Sequence, residues 1–173
     1  MVSARVNVVH SGQDRSWAAL ATLWGMTADS PGPKPRFSLV EVARAGIRLA
    51  DEQGLERVTL QAVAKDLGLT TTALYRYVDA KDTLLELMVD VAIGPAPHLT
   101  GTLADLVRTW VEARWRSVRS HPWLTDVGLR TTPRGPDGIA WQESLVAGLA
   151  GAGVADPLGI ACQLDLLVRG TPR

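Results

Sequence analysis

The side chains best suited to chemistry lie between Thr59 and Lys81, and the chemistry they suit is recognition rather than bond making. Both tyrosines of the chain, Tyr75 and Tyr77, fall here, directly after the run Thr70, Thr71, Thr72, Ala73. A tyrosine combines an apolar ring, able to pack beside Leu74 and Val78, with a hydroxyl able to donate to a phosphate oxygen. Small residues at the amino end of a helix let the backbone approach base edges. Threonine hydroxyls and methyls at such a place can read a base acceptor or a thymine methyl. Helix amino termini add partial positive charge and unpaired amides, so helix starts at Thr59, Thr70 and Ala80 suit phosphate binding. Arg76 and Lys81 add positive charge beside them.

No catalytic arrangement competes with this reading. The sequence has no GxSxG, no HExxH and no phosphate-binding loop, and an enzyme is not expected. Cys162 is the only cysteine, which rules out an internal disulfide and a CxxC zinc site, and His10, His98 and His121 are scattered. Neither a metal nor a cofactor is expected. Lys plus Arg number 18 and Asp plus Glu number 18, so any attraction for nucleic acid must be local. From Arg36 to Asp82 the balance is also even: Arg36, Arg44, Arg48, Arg57, Lys65, Arg76 and Lys81 meet Glu41, Asp51, Glu52, Glu56, Asp66, Asp79 and Asp82. No run approaches the roughly 20 apolar residues that cross a bilayer, and the start "MVSARVNVVHSGQDRS" has no sustained apolar segment. A cytoplasmic protein without a membrane partner is expected.

The elements that must position the Thr59–Lys81 side chains are helical throughout. "SWAALATLWGM" (16–26) spaces Trp17, Leu20, Ala21 and Trp24 as a short amphipathic helix that docks on something and ends at Gly25, and "DSPGPKPR" (29–36) is a linker. Ser38 with Glu41 forms a capping box at the head of a helix whose stripe is Val40, Ala43, Ile47 and Ala50, and which stops at Gly54. Thr59 caps a second helix with Val63, Ala64 and Leu67 inward, closed by Gly68. Thr70 caps a third over about 71–77, with Leu74 and Val78 inward. Asp79, with Asp82, is expected to cap a fourth carrying Leu84, Leu85, Met88 and Val91. "GPAPH" (94–98) marks a domain boundary. Thr102 and Asp105 form another capping box, starting a helix to about Ser120 with Leu103, Leu106, Val107, Trp110 and Val111 toward a core, ended by "HPW". After a short segment, 124–130, and the loop "TTPRGPDG", helices follow over 139–150 and 157–169, the last with Asp156 as cap and Pro157 in first position. No β alternation and no internal repeat is present.

Two short helices joined by a glycine turn, supported by a longer one, form a helix-turn-helix pattern. Here the sequence resembles the tetracycline-repressor (TetR) family of bacterial transcriptional regulators. The matching stretch is "VTLQAVAKDLGLTTTALYRYVDAKDTLL" (58–85), preceded by "LVEVARAGIRLADEQGL", with "LYRYV" and the following K-D-x-L-L pattern as its most specific part. "LWGM…GPKPRFSL" is similar to the amino-terminal extension of one branch, and "HPWL" with the later "GPDG" to that branch's regulatory domain.

The resemblance implies an all-α homodimeric repressor: an extension with a Pro/Gly linker at 1–35, a helix-turn-helix domain at 36–93 and a helical ligand-binding and dimerisation domain at 98–173. It implies a palindromic double-stranded DNA operator, released when a small apolar or aromatic effector moves the paired reading heads apart. Carried onto this sequence, Thr71, Thr72 and Ala73 take base-reading positions, and Gln61 reaches a base or phosphate. Thr59, Tyr75, Tyr77 and Lys81 take phosphate positions, while Arg76 falls where members vary. Two departures stand out. A histidine that helps hold a metal-chelated drug in tetracycline-specific members is missing around Val127 and Gly128, so metal-tetracycline recognition is not expected. The chain stops at "VRGTPR", where members have further helices, so an incomplete, shortened bundle is expected. That ending motivates an alternative function, a truncated partner of a full-length regulator without operator binding of its own.

The remaining features each have two readings. Trp110, Trp115, Trp123 and Trp141 fit a core or the lining of an apolar ligand pocket, and His121 fits a capping residue or a member of that pocket. Arg108, Arg114, Arg116 and Arg119 fit a solvated helix face, the alternative being a ligand carboxylate or the DNA backbone. Lys34 and Arg36 fit a charged linker or a minor-groove arm.

Overall fold

A computed structural model describes residues 19, 21–26, 36–127 and 134–170. Trp17, Leu20, His10, Lys34, the linker 29–35 and loop residues 131–133 lie outside the described residues. Among the described residues no strand forms, and no helix is long and apolar enough to cross a membrane. The segment expected at 16–26 contributes helical residues 19 and 21–23, and Gly25 follows in the left-handed region. It docks through buried Ala19 and through Leu23, which packs on the core.

Helix α1, Leu39–Gln53, starts at the expected box. The Ser38 hydroxyl accepts from the Glu41 amide at 3.2 Å, and the Glu41 carboxylate accepts from the Ser38 amide at 2.7 Å. Those Ser38 donors hold the Glu41 carboxyl below its ordinary value. Helix α4, Lys81–Ile93, packs on α1 along buried Val42, Ala43, Ile47 and Ala50. Gly46 permits that approach, since a Cβ there would fall 2.6 Å from the Met88 sulfur.

Helix α2, Leu60–Asp66, and helix α3, Thr71–Leu74, carry the expected caps: Thr59 accepts from Ala62 at 3.0 Å and Thr70 from Ala73 at 3.1 Å. Gly68, at φ 64°, makes the left-handed turn between them. Helix α3 is shorter than the predicted 71–77. Beyond Leu74 the chain tightens, Arg76 N donating to Ala73 O and Tyr77 N to Leu74 O at 2.8 Å, which turns Val78 fully inward beside Leu74. The predicted Asp79 cap of α4 is corrected: the cap position is Ala80, with no side-chain bond. The Asp79 carboxylate accepts instead from the Thr83 hydroxyl at 2.7 Å, because Thr83 is buried and needs a partner.

Helix α5, Leu103–Ser120, has the expected Thr102–Asp105 box, and Leu106 and Trp110 are buried. Leu103 is not inward as predicted but 42% exposed, because Leu99 and Leu106 already close that end of the core against Gly148. A 3-10 turn, Pro122–Thr125, follows. Helix α6, Pro136–Gly151, begins three residues before the predicted 139, with Pro136 at its first turn. Its start is fixed from outside, the buried Asp90 carboxylate of α4 accepting from Gly138 N at 2.8 Å.

Helix α7, Pro157–Gly170, is capped by Asp156, which accepts from Gly159 N at 3.0 Å. Its apolar residues do not all point inward. Ala161 and Val168 are buried and Leu164 half-buried against α5 and α6, while Leu158 and Leu167 are exposed, at 58% and 67%. Helix α4 joins the two halves of the structure, touching α1 on one side and α5 and α6 on the other.

Candidate nucleic-acid interface and interior cavity

The two turns of α2 and α3 pack on each other and leave one polar surface. Leu74 and Val78 anchor it from below, fully buried. Above them Gln61, Thr70, Thr72, Tyr75, Arg76 and Lys81 are exposed, with Thr59 at the edge and Thr71 and Ala73 half-buried at the first turn of α3. The two tyrosines divide. Tyr75 is 52% exposed, whereas Tyr77 is half-buried with its oxygen accepting from Phe37 N at 3.3 Å. That bond leaves the Tyr77 hydroxyl hydrogen to donate elsewhere. The α4 amino terminus adds first-turn amides that have no side-chain cap. Of the other cations nearby, Arg48 pairs with Asp66 at 2.6 Å, and the Arg36 guanidinium lies 5.3 Å from the centre of the Phe37 ring.

A second candidate site lies among α4, α5, α6 and α7. Trp110 and Trp141 meet edge to face with ring centres 5.7 Å apart, forming one wall. Each indole is fixed, Trp110 Nε1 donating to Trp141 O at 3.1 Å and Trp141 Nε1 to Gly94 O at 2.8 Å. The enclosed space is ≈ 40 Å³, room for a few waters and well short of the roughly 300 Å³ of a pocket holding a small ligand.

Two of the five residues expected at a pocket lie at this cavity. Trp110 and Trp141 line the cavity; Trp115 is half-buried against the core elsewhere, and Trp123 and His121 turn toward α1. Both bind Asp51 at the end of α1, Trp123 Nε1 at 2.7 Å and His121 Nδ1 at 3.0 Å. His121 is also the residue that closes α5.

The solvated face expected for the α5 arginines holds for Arg108, Arg116 and Arg119 and is corrected for Arg114. Arg114 is 5% exposed, its guanidinium 5.7 Å from the Trp141 ring centre and its Nε 3.0 Å from Asp165 Oδ1. Arg169 holds the other Asp165 oxygen. The physical reason is the helical period: Arg114 lies four residues after Trp110 and so on the same inward face. That spacing was the available signal. Across the cavity Glu86 pairs with Arg134, whose backbone oxygen accepts from Trp24 Nε1 at 2.9 Å. Burial pushes the Asp90 carboxyl above its ordinary value and the Arg114 guanidinium below its own.

Residues 42–88, which contain the polar surface and its buried anchors, match the family described as bacterial regulatory proteins, tetR family. The HTH-type transcriptional repressor DrrR1 of Streptomyces coeruleorubidus is 34% identical over 170 residues, covering 94% of this chain and 63% of that protein. An HTH-type transcriptional regulator of Saccharopolyspora erythraea is 26% identical over 162 residues, 90% of this chain and 68% of its own length. Over residues 42–88 the chain belongs to the TetR family. Its fold agrees with that of apo ActR from Streptomyces coelicolor, with a TM-score of 0.73 at 22% identity over 80% of this chain and 68% of ActR. ActR has also been solved in complex with (S)-DNPA. The TetR-family architecture here is an amino-terminal helix-turn-helix domain followed by a helical domain. The chain spans a little under two thirds of the length of DrrR1, 63%.

Proposed function

We propose that this TetR-family chain is a transcriptional repressor that holds a palindromic operator as a homodimer and lets go when a small aromatic molecule enters the cavity. The reading head is residues 36–93, and the ligand-binding and dimerisation part is 98–173. The observation that carries the reading is the surface of hydroxyls and cations on α2 and α3, held rigid from below by buried Leu74 and Val78. In this reading Thr71, Thr72 and Ala73 face base edges and Gln61 approaches a base or phosphate. Thr59, Tyr75, Tyr77, Lys81 and the first amides of α4 hold phosphates. The names of the relatives support a repressor, and the ligand complex of ActR supports a small-molecule effector.

Two connections suit the transmission of an effector's presence. Helix α4 runs from the polar surface at Lys81 to the cavity wall at Glu86, Val89, Asp90 and Ile93. The Asp51 bridge ties α1 to Trp123, whose neighbour Leu124 lines the cavity. A ligand too large for the present cavity must displace these elements, and only a difference in affinity between closed and open forms shifts the equilibrium.

A mobility-shift titration against the DNA flanking the chain's own gene, with oligomer mass measured by sedimentation, tests the reading. Selective binding of one palindromic segment by a dimer is expected. Binding that is equally weak on all duplexes, or a monomer that never pairs on DNA, would contradict it.

A further inference from the structure

The charges around the cavity match in number, Arg114, Arg134 and Arg169 against Glu86, Asp90 and Asp165, but not in placement. On the α5 and α7 side, two guanidinium groups, Arg114 and Arg169, share the single carboxylate of Asp165. All three side chains are largely removed from water, at 6%, 16% and 7% exposed. That triad carries a net single positive charge in a place where an uncompensated charge is expensive to hold. Both Asp165 oxygens are occupied, yet Arg114 Nη1 and Arg169 Nε are buried with no hydrogen-bond partner among the described residues. On the α4 side Glu86 has Arg134 as its counter-ion, although its Oε2 is buried without a hydrogen-bond partner among the described residues, and the Asp90 carboxylate accepts from a backbone amide. The positive excess is local to the triad, and it sits beside the Trp110–Trp141 wall.

We infer that the effector is a flat aromatic molecule carrying an anionic oxygen group, whose charge completes the Arg114–Asp165–Arg169 triad while its rings lie on Trp110 and Trp141. The inference rests on the cavity being the effector site and adds the chemical class of the effector. An anionic oxygen supplies what both buried nitrogens lack, and a guanidinium fork binds such a group in a fixed plane. A neutral aromatic of the same shape satisfies the tryptophans but leaves the triad's charge as it is. Because the cavity is ≈ 40 Å³, entry of a ring system must widen it, and α5 and α7, the two helices that the triad joins, are among its walls. An anion bound at the triad therefore acts on two of the walls that must yield.

Two dyes with one skeleton test this. 8-Anilinonaphthalene-1-sulfonate is anionic, and N-phenyl-1-naphthylamine is its neutral counterpart; both brighten in apolar sites. With the full chain, the anionic dye is expected to bind about ten-fold more tightly than the neutral one, the worth of one net charge-assisted hydrogen bond. Arg114→Met, which leaves Asp165 paired with Arg169, should erase that preference while neutral-dye binding stays within about two-fold of the original. If Arg114→Met does not fold by circular dichroism, Arg169→Gln is read in the same way. Equal or tighter binding of the neutral dye, or a preference that survives these substitutions, overturns the anion inference and leaves the cavity reading intact. Failure of both dyes to bind overturns the cavity reading and this inference with it.

Discussion

Thr70 has two separable duties in this reading, and a pair of substitutions pulls them apart. Helix α3 is a single turn, Thr71–Leu74, held by Leu74 N to Thr70 O at 3.1 Å, by Tyr75 N to Thr71 O at 3.1 Å, and by the cap bond from Ala73 N to the Thr70 hydroxyl. The side chain thus supplies one of three bonds that close the turn. Thr70→Ala removes it at about 1 kcal/mol, the usual cost of losing such a cap. Because Leu74 stays buried, the loss falls on the amino end of α3. That loss shifts the local open-to-closed ratio about five-fold and lowers the melting temperature by about 2–4 °C. Thr70→Asp restores the cap, and its charge suits the helix dipole, so stability should return to the original level or exceed it. On DNA the same charge faces phosphates, so affinity should fall below that of Thr70→Ala, for every duplex alike. Urea denaturation and hydrogen exchange at the Ala73 amide read the first duty, and fluorescence anisotropy with operator and unrelated duplexes reads the second. If Thr70→Asp binds DNA as well as the original chain does, Thr70 is a cap alone and the assigned DNA-facing surface is misplaced.

Three further expectations follow from the geometry. Tyr75→Phe should weaken binding to all duplexes by a similar factor, whereas Thr72→Val should change which half-site is preferred; in anisotropy titrations over a panel of half-sites, the opposite pattern would reverse the two roles. Burial raises the folded pKa of Asp90 above its ordinary 3.8, so its contribution to stability is full below that value and is lost as pH rises through the raised pKa. Asp90→Asn keeps an oxygen for Gly138 N, and urea denaturation at stepped pH should show the variant gaining on the original as pH rises from about 4 to about 7; a relative loss would contradict the sign. Trp123→Phe removes the donor that holds Asp51 at 2.7 Å while keeping most of the buried ring. It should cost about 1–2 kcal/mol and leave dye binding in the cavity intact while weakening dye-induced release of DNA; unchanged release would exclude the Asp51 bridge as a transmission path.

What the amino-acid sequence determined by itself is what acts over three or four residues. The Ser38–Glu41 and Thr102–Asp105 boxes and the Thr59, Thr70 and Asp156 caps all have donor and acceptor within one turn, so residue type and spacing were enough to place them. The same holds for the inward face of the reading head, where Leu74 and Val78 are buried while Tyr75 and Arg76 between them stay exposed. Tertiary structure decided wherever the partner lies far along the chain. Helix α6 starts at Pro136 because Asp90, 48 residues before Gly138, accepts its first-turn amide. Asp79 lost its predicted capping role to a buried threonine that needed an acceptor. His121 and Trp123 left the expected pocket because Asp51, 70 and 72 residues earlier, accepts from them both. Arg114 shows the division most clearly. Its place four residues after Trp110 put it on the inward face, but a charged residue stays inside only with a counter-ion, and that counter-ion is Asp165, 51 residues further on. Helical periodicity fixes which way a side chain points, and only the packing of distant helices supplies the opposite charge that lets it remain buried there.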